Sequence, residues 1–130
     1  LFLDAAKADV RRLADDDRRL AQLALQRVRD LEVGNVEGMP LNDMAATGDL
    51  GDCRKLYFGF GDPPSHRIVY RARPQGDLEI VEVVAVEARD ELYAYLLAAA
   101  RLGRLPPESQ PRFDRLHQRV IRRRAGRPRE

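Results

Sequence analysis

The sequence predicts an α+β domain in which a small, mainly antiparallel sheet packs on an N-terminal helical hairpin and is followed by C-terminal helices. Three observations predict it. Apolar residues recur at helical spacing from Ala6 to Leu31, three strand-like runs follow one another from Cys53 to Val86, and helical patterns return after Asp90. With 130 residues, 44% of them hydrophobic, the chain suits one folded soluble domain with a single modest core.

Leu1-Phe2-Leu3 reads as the end of a short strand. From Asp4, a candidate cap, Ala6, Val10 and Leu13 form one helical stripe. Asp15-Asp16-Asp17 interrupts it, and one of these acids is placed to cap a second helix. Leu20, Leu23 or Ala24, Val28 and Leu31 are that helix's stripe, with Gly34 as its stop. Arg11, Arg12, Arg18, Arg19, Arg27 and Arg29 read as a solvated outer face. Residues 34–52, rich in glycine, read as a connecting loop.

The strand runs are Cys53–Phe58, His66–Arg71 and Leu78–Val86. Side chains alternate across a strand, so Leu56, Phe58, Ile68 and Tyr70 fall on one face, and Lys55, Tyr57, Arg67, Val69 and Arg71 on the other. If the apolar set meets the hairpin, the opposite face is a cationic, partly aromatic surface. The third run is almost continuously apolar, which predicts a central strand. Pro74-Gln75-Gly76-Asp77 reads as a tight turn. Asp90 is placed to cap a helix reaching Arg101, with Leu92, Leu96, Ala99 and Leu102 as its buried stripe.

Pro106-Pro107 sets off a tail, which divides the chain into a domain at 1–104 and a basic helical extension at 105–130. The tail helix is expected to start at Ser109, with Pro111 in its first turn and a stripe of Phe113, Leu116 and Val120. Arg112, Arg115, Arg119 and Arg122 run beside that stripe, and Arg123 to Arg129 is expected to fray. Net charge is only +2, yet residues 105–130 hold eight arginines against three acids. This asymmetry points to an anionic partner, nucleic acid before membrane. The tail can hold RNA or DNA phosphates, or dock Phe113 on the domain; both readings stand, and they are compatible.

Other classes find little support. No apolar run nears the roughly 20 residues that span a bilayer, and the amino end has no basic region before its first acid. A lone cysteine excludes an internal disulfide and predicts a cytoplasmic setting. No metal site is expected, because His66 and His117 lack partners at ligand spacing; Cys53 reads as a small core residue. Glycines 59 and 61 lack the pattern of a phosphate-binding loop, and Gly126-Arg127-Pro128 is too short a minor-groove motif to weigh.

At Gly48-Asp49-Leu50-Gly51-Asp52-Cys53-Arg54-Lys55-Leu56, His66-Arg67-Ile68-Val69-Tyr70 and Glu87-Ala88-Arg89, followed by a tyrosine-containing helix, the chain resembles the RelE/ParE toxin superfamily of bacterial toxin–antitoxin systems. The similarity runs from about Leu3 to Arg101. It implies a RelE-like fold and a toxin that cuts messenger RNA on the ribosome, without metal or cofactor, and inhibits translation. A cognate antitoxin, the ribosome and messenger RNA are the implied partners. DNA would be met only through an antitoxin complex or weakly by the tail, and no membrane is involved.

In such cleavage the ribose 2′-hydroxyl attacks the adjacent phosphate, leaving a 2′,3′-cyclic phosphate and a 5′-hydroxyl. A proton acceptor, positive charge on the phosphate and a donor for the leaving oxygen are needed. The resemblance puts the family's strand lysine at Lys55, its third-strand arginine at Arg67, its last-strand arginine at Arg89 and its helix tyrosine at Tyr95, or Tyr93 with one gap. These two tyrosines lie about 200° apart on a helix, so only one faces the sheet. Arg67 would neutralise the phosphate, Arg89 support it or the leaving oxygen, Lys55 assist proton transfer, and Tyr95 stack on a base or help activate the 2′-hydroxyl. Tyr57 stands where RelE-like enzymes often carry a second lysine; it either stacks on a base or packs the rim. Tyr57, Arg71, Arg73, Arg112, Arg115 and Arg119 are the further RNA-binding candidates. The competing reading makes these cations ordinary surface charges paired with Glu79, Glu82 or Glu87. The alternatives of another class are a ParE-like DNA gyrase inhibitor without a nuclease site and a non-catalytic RelE-fold binding protein.

Overall fold

The computed structural model describes residues 1–41, 47–75, 78–89 and 92–125. Helices α1 (Asp4–Asp16) and α2 (Arg18–Glu32) form the hairpin. A four-stranded antiparallel sheet follows in the order β1 (Met39–Pro40), β2 (Cys53–Phe58), β3 (His66–Gln75), β4 (Leu78–Ala88). Helix α3 (Tyr93–Arg101), a 3₁₀ turn at Pro107–Ser109 and α4 (Gln110–Ala125) complete the chain.

The hairpin forms where the periodicity places it. Leu20, Ala24, Val28 and Leu31 are buried against Phe58, Ile68, Tyr70, Val83 and Val86. Asp17 caps α2 by accepting the Leu20 N–H at 3.2 Å. Asp4 is not a cap: Leu3 holds that position, and Asp4 begins the helix. Gly34, just past α2, takes φ 79°, a left-handed conformation that suits glycine.

Helices cover both faces of the sheet, not one. The face carrying Cys53, Val69 and Ala85 packs on α3, with Leu116 of α4 beyond. The cationic surface predicted there is therefore partly roofed. α3 has no polar side to spare, since Tyr93 through Ala99 are all buried, where a single stripe was expected. The proposed cap Asp90 and the turn residues Gly76-Asp77 lie outside the described residues.

β4 is an edge strand, whereas its apolar run suggested a central one. It is apolar on both sides because each face meets helices. Its outer edge is covered by Phe2, which bridges Val83 in parallel, and by Asp9, whose carboxylate accepts the Val86 N–H at 2.9 Å. The central strands are β2 and β3. The short β1 was read as loop; Gly38 lets it approach, because a Cβ there would lie 2.6 Å from the Tyr70 hydroxyl and 2.7 Å from the Lys55 carbonyl. Gly38→Ala should cost about 1–3 kcal/mol through this overpacking, a loss visible as a lower urea midpoint.

Candidate functional site

The ladder brings the predicted residues to one end of the α3-facing side. Lys55 and Tyr57 point the same way from β2, and Arg67 lies opposite Tyr57 in the β2–β3 register. Arg89 follows β4. Its backbone N–H donates to the Ser65 carbonyl at 2.9 Å and its guanidinium to the Pro64 carbonyl at 3.3 Å, which turns the side chain back over the sheet. Tyr95 comes down from α3.

These five side chains converge. The Arg89 guanidinium carbon lies 4.3 Å from the Tyr57 ring centre. That of Arg67 lies 4.5 Å from the Tyr95 ring and 5.6 Å from the Tyr57 ring. The Lys55 ammonium is 5.4 Å from Tyr57 and 5.8 Å from Tyr95. Each contact of this kind is worth about 0.5–2 kcal/mol, more where water is excluded. Tyr93, the alternative helix tyrosine, faces α4 instead: its ring is stacked 6.3 Å from Phe113, and its hydroxyl meets His117 Nδ1 at 2.9 Å.

Charge distinguishes this cluster from its surroundings. Among the described residues, Lys55, Arg67 and Arg89 make no ion pair with a carboxylate. Glu82 holds Arg71 at 2.6 Å and Arg73 at 3.2 Å. Glu87 holds Arg124 at 2.8 Å and lies 3.5 Å from Arg12; Glu79 falls outside the described side chains. Arg67 is only 6% exposed and its Nε has no hydrogen-bond partner, so two ring faces supply most of its compensation. Beside it an open depression of about 450 Å³ is lined by Pro63, Pro64, Ser65, Arg67 and Arg89. Three cations with no acid paired to them among the described residues, around aromatic rings and beside an open hollow, are an arrangement that suits an anion.

The same packing splits the two phenols. Hydrogen bonding from Tyr95, then from Lys55, and the charges of Lys55 and Arg67 hold the Tyr57 phenol below its ordinary range despite partial burial. Burial pushes the Tyr95 phenol up, and its hydrogen bond to Tyr57 adds to this. Lys55 is raised, chiefly by its hydrogen bond to Tyr57, and stays an ammonium at neutral pH. As an ammonium it can offer charge and a proton.

Arg71 and Arg73 belong elsewhere. Arg71 is four residues along β3 from Arg67, roughly 13 Å at strand rise, and is neutralised by Glu82. Burial raises the Glu82 carboxyl, but hydrogen bonds from Arg71 and Arg73 outweigh this and leave it below 4.5. A carboxyl lowered in the folded state contributes stability above its unfolded pKa and loses it as pH falls through the folded value. Glu82→Gln should therefore be less stable at pH 7, and its urea midpoint should fall less than that of the wild type between about pH 5 and pH 3.

On α4, Arg112, Arg115, Arg119 and Arg122 flank Leu116 along a groove. The helix also docks, through Phe113, Leu116 and Val120. It continues through Arg123 and Arg124, which were expected to fray; Arg124 is tied to Glu87. Of the hairpin's arginines, Arg11, Arg18, Arg19 and Arg29 are exposed, whereas Arg12 and Arg27 are half-buried and bond Asp9 at 2.5 Å and Asp30 at 3.0 Å. Cys53 is buried, and burial pushes its thiol up to about 11, which suits packing and not nucleophilic attack. Among the described residues no His, Cys, Asp and Glu group is arranged to hold a metal, and no helix is long and apolar enough to cross a membrane.

The Pro64 and Ser65 carbonyls that aim Arg89 were not anticipated. Backbone acceptors leave no mark in side-chain chemistry. No protein-family model, curated protein or solved structure matches the chain.

Proposed function

We propose that this protein is a RelE-like toxin of a type II toxin–antitoxin system. In this reading it is a metal-independent endoribonuclease that cuts messenger RNA on the ribosome and is restrained by a cognate antitoxin. The observation that carries the reading is the convergence of Lys55, Arg67 and Arg89, none paired with an acid among the described residues, around Tyr57 and Tyr95. A pentacoordinate phosphate carries more negative charge than the diester it comes from, so unspent cations held by a rigid ladder stabilise it selectively. Arg89, exposed and aimed by backbone carbonyls, contacts the phosphate. Arg67, behind it, supplies charge through its edge on the hollow. Lys55 protonates the leaving 5′-oxygen, and Tyr95 fixes the rings.

The test is translation of a defined message on purified ribosomes, with ends mapped by primer extension. Cuts bearing 5′-hydroxyl and 2′,3′-cyclic phosphate ends are expected, and intact message would end the reading. One observation favours the binding-only or gyrase-directed alternatives. Arg67 is nearly buried, so a phosphate reaches only its rim; loss of supercoiling with intact message would select the gyrase inhibitor.

The α4 arginines extend the anion-binding surface. Changing Arg112, Arg115 and Arg119 to Gln should reduce the salt slope of single-stranded RNA binding by roughly 2, in a titration of affinity against salt.

A further inference from the structure

We propose that the hydroxyl oxygen of Tyr57 is the proton acceptor for the ribose 2′-hydroxyl, an inference that rests on the nuclease reading above. Tyr57 is the hub of the site. Its ring contacts all three cations, with Arg67 opposite it in the ladder and 5.6 Å away, Arg89 4.3 Å from its ring and Lys55 5.4 Å from it. It is half-exposed, while Tyr95, its neighbour, is 6% exposed and cannot take a solvent-borne proton as readily. Among the described residues no carboxylate pairs with these cations; His66 precedes Arg67 on β3 and so points to the opposite face, where it engages Ser65 and Phe58, and His117 engages Tyr93 and Phe113. The remaining bases are phenols, and their environments drive the two apart, Tyr57 down and Tyr95 up. Such a split favours Tyr57 over Tyr95 as the acceptor.

The step balances. In the molecules in which Tyr57 has ionised, the 2′-hydroxyl proton passes to its oxygen as the O2′–P bond forms. The P–O5′ bond breaks, and the 5′-oxygen takes a proton from the Lys55 ammonium. A neutral phenol and a neutral amine remain, and solvent returns the proton from one to the other.

The experiment compares single-turnover cleavage on programmed ribosomes by the wild type, Tyr57→Phe and protein carrying a fluorinated tyrosine at position 57, across pH. Tyr57→Phe keeps the ring and should retain binding to ribosomes while cleaving about 100-fold or more slowly. Fluorination acidifies the phenol and should move the acidic limb of the rate profile to lower pH. A Tyr57→Phe rate within about threefold of wild type, or an unmoved limb, overturns the inference and leaves the nuclease reading intact. A wild type that cuts nothing overturns both. Phenol titration by ultraviolet absorbance needs no activity: of the four tyrosines, the one lost in Tyr57→Phe should ionise first, and any other order refutes the assignment.

Discussion

Replacing Arg67 and Arg89 together by Ala should abolish cleavage of ribosome-bound message and relieve growth inhibition, with a rate loss of about 10³-fold or more. The two arginines act at different depths. Arg89 is exposed and held by two main-chain carbonyls, so Arg89→Ala should fold like the wild type and fail only in activity. Arg67 is packed against Tyr57 and Tyr95, so Arg67→Ala should also unfold at lower urea. Arg67→Lys keeps a charge but loses the flat stacking surface, and should recover less than half of the lost barrier stabilisation. Full activity in a folded double variant would eliminate the site.

The largest stability effect is expected at Asp9. Its side chain is inaccessible to solvent and accepts both Arg101 guanidinium N–H groups, at 2.6 and 2.8 Å, together with Arg12 and the Val86 N–H. Truncating one partner of such a buried pair strands the other charge. Asp9→Ala should cost about 3–5 kcal/mol in urea unfolding. Asp4→Ala, five residues earlier on a fully exposed side chain, should leave the urea midpoint essentially unchanged. If Asp9→Ala cost under about 1 kcal/mol, this network would not be holding α1, β4 and α3 together.

These two acids show where sequence reasoning ends. Both stand in the same Ala- and Arg-rich helix, and helical periodicity finds the stripe of Ala6, Val10 and Leu13 without separating a buried aspartate from an exposed one. Its partner Arg101 lies 92 residues away. Periods of 3.6 and 2 recovered α1, α2, β2, β3 and α4, and found the extent of β4 without its place in the sheet. They failed where burial is two-sided: β4 looked central, and α3 looked striped although it is enclosed all round. β1 was invisible because two residues make no period. At the site, alternation alone placed Lys55, Tyr57 and Arg67 on one face. Family resemblance was needed to bring in Arg89 and Tyr95, since neither belongs to the strands that carry the other three. The separation of Arg71 and Arg73 from the group depended on which acid each meets, and alternation says nothing about that.

The sheet's margins bear on how this molecule tolerates crowding. On one flank Phe2 and Asp9 engage the main-chain groups of β4; on the other, β1 is two residues long and ends in Pro40, which has no N–H to offer. An extended peptide seeking to zip onto the sheet finds those rungs taken, although β1 covers only Arg54 and Lys55 of β2. Edge-to-edge stacking in concentrated stocks is therefore disfavoured at those rungs.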